Sequence, residues 1–114
     1  MSTNLQDPGP EPSRAEVDAH AGLQVVEFGA SWCPHCQRAQ PLIEQVLRAA
    51  PAHRHLRIED GPGRRLGRTF QVKLWPTFVF MKDGQELARV VRPTEVEPLA
   101  QALARAAGGI SPPA

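Results

Sequence analysis

The sequence predicts an α/β domain, with a mixed central sheet of about four strands and helices on both faces. Three observations carry this. The segment from Leu23 to Phe28 is rich in Val and Leu with little polar interruption, as in a strand covered on both sides. The elements run helix, strand, helix, strand, helix, hairpin, helix, which implies one parallel crossover followed by an antiparallel pair. Ser13 with Glu16, and Thr94 with Glu97, have the spacing of capping boxes that open the outer helices.

Residues 1–12 carry three prolines and one glycine and are expected to form a mobile tail. From Ser13 a short helix runs to about Ala21, with Ala15, Val17 and Ala19 as apolar contacts and Gly22 as its stop. Glu27 breaks the first strand. A long helix begins at Cys33, where Ala39, Leu42, Ile43, Val46, Leu47 and Ala50 recur at helical spacing and Pro51 follows the end. Pro41 lies inside it and predicts a kink, because proline lacks the backbone donor and crowds the preceding turn. Leu56 and Ile58 alternate with polar neighbours in a second strand, closed by Asp60-Gly61-Pro62-Gly63. A short helix is expected from Arg64 to Phe70, then a strand from Pro76 to Met81, a turn at Lys82-Asp83-Gly84 and a partner strand from Glu86 to Arg92. In the last helix Val96, Leu99, Ala100, Leu103 and Ala107 form the expected buried stripe, and Gly108-Gly109 ends it. The domain is thus placed at residues 13–109, with 110–114 as a second disordered tail.

A chain of 114 residues supports one domain. Thirteen basic and 12 acidic residues leave a formal charge of +1, which gives no reason to expect nucleic acid or an anionic membrane as partner. Arg64, Arg65 and Arg68 cluster, as on a solvated helix face. Met1 to Pro12 lacks the positive and apolar regions of a secretory signal, and no later run is long enough to span a bilayer. The expectation is a cytoplasmic protein, in which a lone cysteine pair is catalytic or metal-binding rather than a structural staple.

That pair lies in Trp32-Cys33-Pro34-His35-Cys36 and comprises both cysteines of the chain. Thiols three residues apart at a helix start share a face and can close a small disulfide with little backbone movement. Free N–H groups and the helix dipole favour a thiolate at Cys33, while Cys36, one turn further in, is shielded. The expected chemistry is disulfide exchange, in which Cys33 attacks and Cys36 resolves the mixed disulfide. His35 could donate to the Cys33 sulfur or pair with it as the imidazolium. Glu27, in a strand that reads as buried, needs a partner or a purpose; the plain alternative is a carboxylate that reaches the surface or pairs with a base such as Lys73. His20, His53 and His55 are read as incidental, since no cysteine or carboxylate of their segments completes a site.

From Leu23 to Ala107 the chain resembles the thioredoxin family. The shared pattern is an acid on the first strand, Glu27; the Trp32 to Cys36 turn; Pro41 eight residues after the first cysteine; Pro76-Thr77; and the Asp83-Gly84 hairpin. Pro34-His35 is similar to the pair in the DsbA oxidants, though the chain is too short for their helical insertion. The resemblance implies the thioredoxin fold and a protein-disulfide oxidoreductase with no cofactor beyond a Cys33–Cys36 disulfide. It implies that Glu27, where the family has Asp, accepts the Cys36 proton. It also implies that Pro76 is a cis-proline that packs on the disulfide, keeps metal out and leaves the Trp75 backbone free to pair with an extended substrate segment. Trp32, Pro34, Trp75 and Arg92 would form the substrate rim. The family has glycine before the cis-proline dipeptide and again after the final strand; here Leu74 and Arg92 stand at those places, giving a bulkier, charged rim that favours acidic partners.

The implied partners are protein disulfides or dithiols and a thiol reductant or reductase, handled by a monomer. Two other classes use the same cysteines. One is a metal-binding module of Cys33, Cys36 and His35, which is short of the four ligands zinc takes. The other is a binding module whose affinity the redox pair switches.

Overall fold

The computed structural model describes residues 11–108. The elements are α1 (Arg14–Asp18), β1 (Leu23–Gly29), α2 (Pro34–Arg48), β2 (Arg54–Glu59), α3 (Leu66–Thr69), β3 (Thr77–Lys82), β4 (Gln85–Val91) and α4 (Val96–Gly108). The four strands lie in the order β2-β1-β3-β4, with β2 parallel to β1 and the other neighbours antiparallel. The mixed sheet expected from the sequence is therefore present, and β1 is central and buried throughout.

Strand periodicity divides the core in two, because successive side chains point to opposite faces. Leu23 and Val25 join Phe78 and Phe80 of β3 and pack against Ala39, Ile43 and Val46 of α2 and Leu99 and Leu103 of α4. On the other face Val26 and Phe28 join Val79 and Met81 and pack against Val17, Ile58, Leu66 and Phe70. Phe28, Phe78 and Phe80 have no exposed surface. Each contributes about 1.5–3 kcal/mol relative to an exposed ring.

Several boundaries move, each for a local reason. Glu11 and Pro12 belong to the described fold rather than to a tail: Glu11 accepts from the Arg65 and Leu66 amides at 2.8 and 3.0 Å and so occupies the start of α3. Its carboxylate also lies 3.4 Å from Arg64, which donates to the Glu59 carbonyl, so the arginine cluster is not wholly a solvated face. Ser13 and Glu16 form the expected capping box, but α1 ends at Asp18, not near Ala21. The third helix shrinks to Leu66–Thr69. The last begins at Val96, one residue later than a Thr94 cap requires, and Glu97 accepts from Gln101. Its buried face is Leu99, Ala102, Leu103 and Ala106; Val96, Ala100 and Ala107 flank it. Gly109 and the second tail lie outside the described residues. Pro41 sits within α2 as read. Gln24 is a second buried polar residue of β1, donating to the Val17 carbonyl and accepting from Arg54.

The hairpin between β3 and β4 turns on Asp83 (φ 50°) and Gly84 (φ 81°), both left-handed as a two-residue turn of this twist requires. Asp83 ties it to β1, accepting from the Gly22 amide at 2.7 Å and donating to the Gly22 carbonyl at 3.1 Å. A Cβ at Gly84 would run into the Asp18 carbonyl, whereas one at Gly63, with nearly the same φ of 82°, would meet nothing. Gly84→Ala should therefore cost about 3 kcal/mol in urea unfolding and Gly63→Ala only about 1 kcal/mol, the left-handed penalty alone. Equal losses would mean that the Asp18 carbonyl gives way.

Candidate active site

The chain leaves β1 at Gly29, turns through Ala30 to Trp32 and enters α2 with Cys33 as its N-cap. Pro34 occupies the first helical position, where its missing N–H costs nothing. The Cys33 sulfur accepts the Cys36 amide at 3.3 Å, so the helix start holds electron density on that atom. Both thiols are free and both are buried, at 4% and 3% exposure, against Ala30 and Trp75. A strand-to-helix turn would leave a thiol open, but Cys33 is enclosed, in a cluster with Ala30 and Cys36 against which Trp75 packs.

Cys36 sits beside the end of β1, and Gly29 makes room for it. A Cβ at Gly29 would lie 2.7 Å from the Cys36 sulfur. Burial, above all, pushes the Cys36 thiol up to about 12; hydrogen bonding to Cys33 and the negative charges of Cys33 and Glu27 act the same way. The two thiols thus differ: one caps a helix and faces its amides, the other keeps its proton beside a carboxylate.

Glu27 is 2% exposed and has found partners other than Lys73. Gln40 Nε2 donates to Oε2, His55 Nε2 lies 2.8 Å from Oε1, and Arg57 Nε stands 3.7 Å from Oε1, a charge contact rather than a hydrogen bond. The His55 side chain is 24% exposed, so it links the buried carboxylate to the surface. His55 is therefore part of the site, contrary to the reading from sequence. Gln40 follows Cys36 by four residues and shares its helix face, a signal that was available. His55 was not accessible in that way, because only the parallel register, with Glu27 opposite Arg57 and His55 two residues before it, brings it alongside.

His35 is exposed, and its Nδ1 lies 3.1 Å from the Arg38 guanidinium. A guanidinium only donates, so this nitrogen is an acceptor in the pair. The Arg92 charge first, then slight loss of hydration and the Arg38 charge, hold the imidazole below its ordinary range. The expected imidazolium partner for the Cys33 sulfur is thus opposed by two neighbouring positive charges, and the ring turns to Arg38 instead.

The Trp75–Pro76 peptide is cis, and Pro76 is buried. Trp32 is 68% exposed and meets Trp75 edge to face, with centroids 5.6 Å apart, so it forms a wall of the site and not part of the core. Trp75 Nε1 donates to Asp60 at 2.9 Å, and the Asp60 carboxylate occupies the space that a Cβ on Gly67 would fill. The Trp75 carbonyl already accepts one hydrogen bond, from Arg92 Nε at 2.7 Å, and the Arg92 amide bonds the Pro76 carbonyl at 2.9 Å. Exposed Leu74 and Val91 complete the rim. Among the described residues no group of three or more His, Cys, Asp or Glu side chains could hold a metal ion.

Comparison with known proteins agrees with this geometry. The thioredoxin family model matches residues 11–105. Thioredoxin H-type 1 of Nicotiana tabacum is 36% identical over 69 residues, 60% of this chain and 55% of that protein. A thioredoxin of Chlamydia pneumoniae is 34% identical over 71 residues, 62% of this chain and 70% of that protein. The chain therefore spans little more than half the length of the tobacco relative. Among solved structures, thioredoxin 2 of Pseudomonas aeruginosa in its reduced form is 56% identical with a TM-score of 0.78, covering 87% of this chain and 92% of that one. Mitochondrial thioredoxin 3 of Saccharomyces cerevisiae, at 24% identity and a TM-score of 0.69 over 90% of both chains, shares the fold.

The contact between Gly29 and Cys36 can be tested by itself. Gly29→Ala should destabilise the reduced protein by about 1–3 kcal/mol, and Cys36→Ala in the same chain should recover most of that loss, since the sulfur is the obstruction. Additive losses in a double-mutant cycle of urea unfolding would rule the contact out.

Proposed function

Because the chain belongs to the thioredoxin family, we propose that it is a thiol–disulfide oxidoreductase that exchanges disulfides with protein substrates through Cys33 and Cys36. The redox couple is the cysteine pair itself, with no separate cofactor. One observation carries the reading: the two thiols are made unequal, Cys33 by the amide it accepts at the start of α2 and Cys36 by burial beside Glu27.

The steps follow from that inequality. Cys33 as thiolate attacks one sulfur of a substrate disulfide, forming a Cys33–substrate disulfide and releasing the other substrate sulfur as thiolate. Cys36 then loses its proton and attacks Cys33. The Cys33–Cys36 bond forms, the second substrate thiolate leaves, and two electrons have passed from the protein to the substrate. Run backwards, the same steps oxidise a substrate dithiol. The second step needs a base, because burial, the largest of the causes that raise the Cys36 thiol, keeps it protonated at neutral pH. Glu27 is the buried base available to it, and His55, on the same carboxylate and partly open, is placed to carry the proton to water. Pro34, Trp32 and Trp75 form the surface on which the substrate lies, with Pro76 behind it, and Arg92 sets its polar edge.

On this reading the partners are protein disulfides or dithiols and a thiol reductant or reductase that regenerates the dithiol, met by a monomer in a cytoplasmic setting. No helix among the described residues is long and apolar enough to cross a membrane.

The two steps can be separated experimentally. Cys33→Ser should abolish disulfide reduction, and Cys36→Ser should stop it at the mixed disulfide. In Glu27→Gln, release of the second substrate thiol should slow by about 10- to 100-fold at neutral pH, while the first attack changes far less. That slowed step should then speed up steadily as pH rises into the alkaline range, because burial keeps the Cys36 thiol protonated and its thiolate fraction grows with pH. Replacing His55 by Leu should slow the same step and leave the first one alone. Equal slowing of both steps in Glu27→Gln would contradict the assignment.

A further inference from the structure

Beside the dithiol lies a cleft of about 370 Å³ lined by His35, Arg38, Leu42, Arg92, Pro93 and Thr94. Both ends are tied to groups already at the site. His35 stands between the two cysteines in the chain, and Arg92 bonds the carbonyl of Trp75, which packs against the cluster of Ala30, Cys33 and Cys36. The lining holds two guanidinium groups and no carboxylate, and among the described residues neither Arg38 nor Arg92 forms an ion pair. Each guanidinium has five N–H donors, and one of each is engaged here: an NH2 donor of Arg38 on His35 and Nε of Arg92 on Trp75. The terminal fork of Arg92 is left in a geometry suited to a carboxylate.

Arg92 is held rather than merely present. Its φ of 50° is left-handed, a conformation glycine adopts without strain and arginine does not, and both its amide and its side chain bond the Trp75–Pro76 segment. Arg38 reaches in from the first turns of α2. The positive potential of the pair is felt at the ring between them, since Arg92 and Arg38 both disfavour a charge on His35. An anion in the cleft would relieve that field, and the apolar parts of Leu42 and Pro93 would shield the contact from water.

We propose that this cleft is a carboxylate subsite for the disulfide substrate, in which Arg38 and Arg92 take the side chain of an Asp or Glu lying within a few residues of the client's reacting cysteine. The inference rests on Cys33 being the attacking thiol, and it narrows the substrate class from protein disulfides to those flanked by acid. Specificity then comes from a charge pair at the rim, which acts on encounter and register more than on the chemistry at sulfur.

The probe is a short peptide with one cysteine activated as its 2-thiopyridyl disulfide, carrying Glu or Gln in turn at each position flanking the cysteine. With Cys36→Ser protein, Cys33 thiolate attacks the peptide sulfur, the Cys33–peptide bond forms, and thiopyridine leaves and is followed by absorbance. At low salt the best-placed Glu peptide should react about 3- to 10-fold faster than its Gln counterpart. That ratio should fall toward one in high salt and in the Arg38→Gln/Arg92→Gln double variant. On the loaded protein, the His35 ring should titrate at higher pH with the Glu peptide than with the Gln peptide, a readout independent of rate. Loading of both peptides at equal rates, with equal His35 midpoints, would overturn the subsite and leave the Cys33 reading standing. Failure of both peptides to load would overturn the subsite and the Cys33 reading together.

Discussion

A carboxylate in the middle of a central strand is the constraint on which the rest of this structure depends. Glu27 is almost fully enclosed, and an enclosed charge without partners costs several kcal/mol. Its partners come from both sides: Gln40 of α2 and the pair His55 and Arg57 of β2. Satisfying one group thus links the helix that carries the thiols to the strand that flanks it. The same carboxylate adds to the forces that keep Cys36 protonated, so the packing problem and the chemistry have one solution.

The rim is organised by a second chain of contacts. The absent side chain of Gly67 admits the Asp60 carboxylate, Asp60 receives the indole N–H of Trp75, and Trp75 supports Trp32 and packs against the cluster that holds the thiols. From the other side Arg92 bonds the Trp75 carbonyl. One tryptophan is therefore held at both its ring and its backbone, and the surface presented to a partner is largely set before any partner arrives.

Much of this was legible in the residues. The apolar run of β1, the helical spacing of α2 and the Asp83-Gly84 turn gave the order of elements along the chain and a mixed sheet, because each is a local pattern with one good structural solution. The thiol pair and the enclosed acid could be picked out within their own segments, whereas Pro76 was singled out only through the family resemblance. What escaped depends on register and on side-chain reach. His55 has no chemical neighbour within its own segment and becomes one of Glu27 only when β2 lies parallel to β1. Glu11 looked like part of a tail because its composition is that of a tail, yet two amides at the start of α3 needed an acceptor. His35 was assigned to the cysteine beside it in sequence, while Arg38, one turn along the helix, was the nearer charge. Arg92 was read as an obstruction at a glycine position; its hydrogen bond onto Trp75 is a feature no spacing rule contains.

The tryptophan pair has an optical consequence. The chain contains no tyrosine and two tryptophans, and both stand against each other at the dithiol. Excitation at the red edge of protein absorption therefore reaches only the rim. The emission of the whole molecule is a signal from its active surface, with no background from the core. Thiols and disulfides quench indole differently, and a docked partner changes how much water the exposed ring of Trp32 meets. The unmodified protein consequently carries its own fluorophore for redox state and for association, placed where a spectroscopist would otherwise have to attach one.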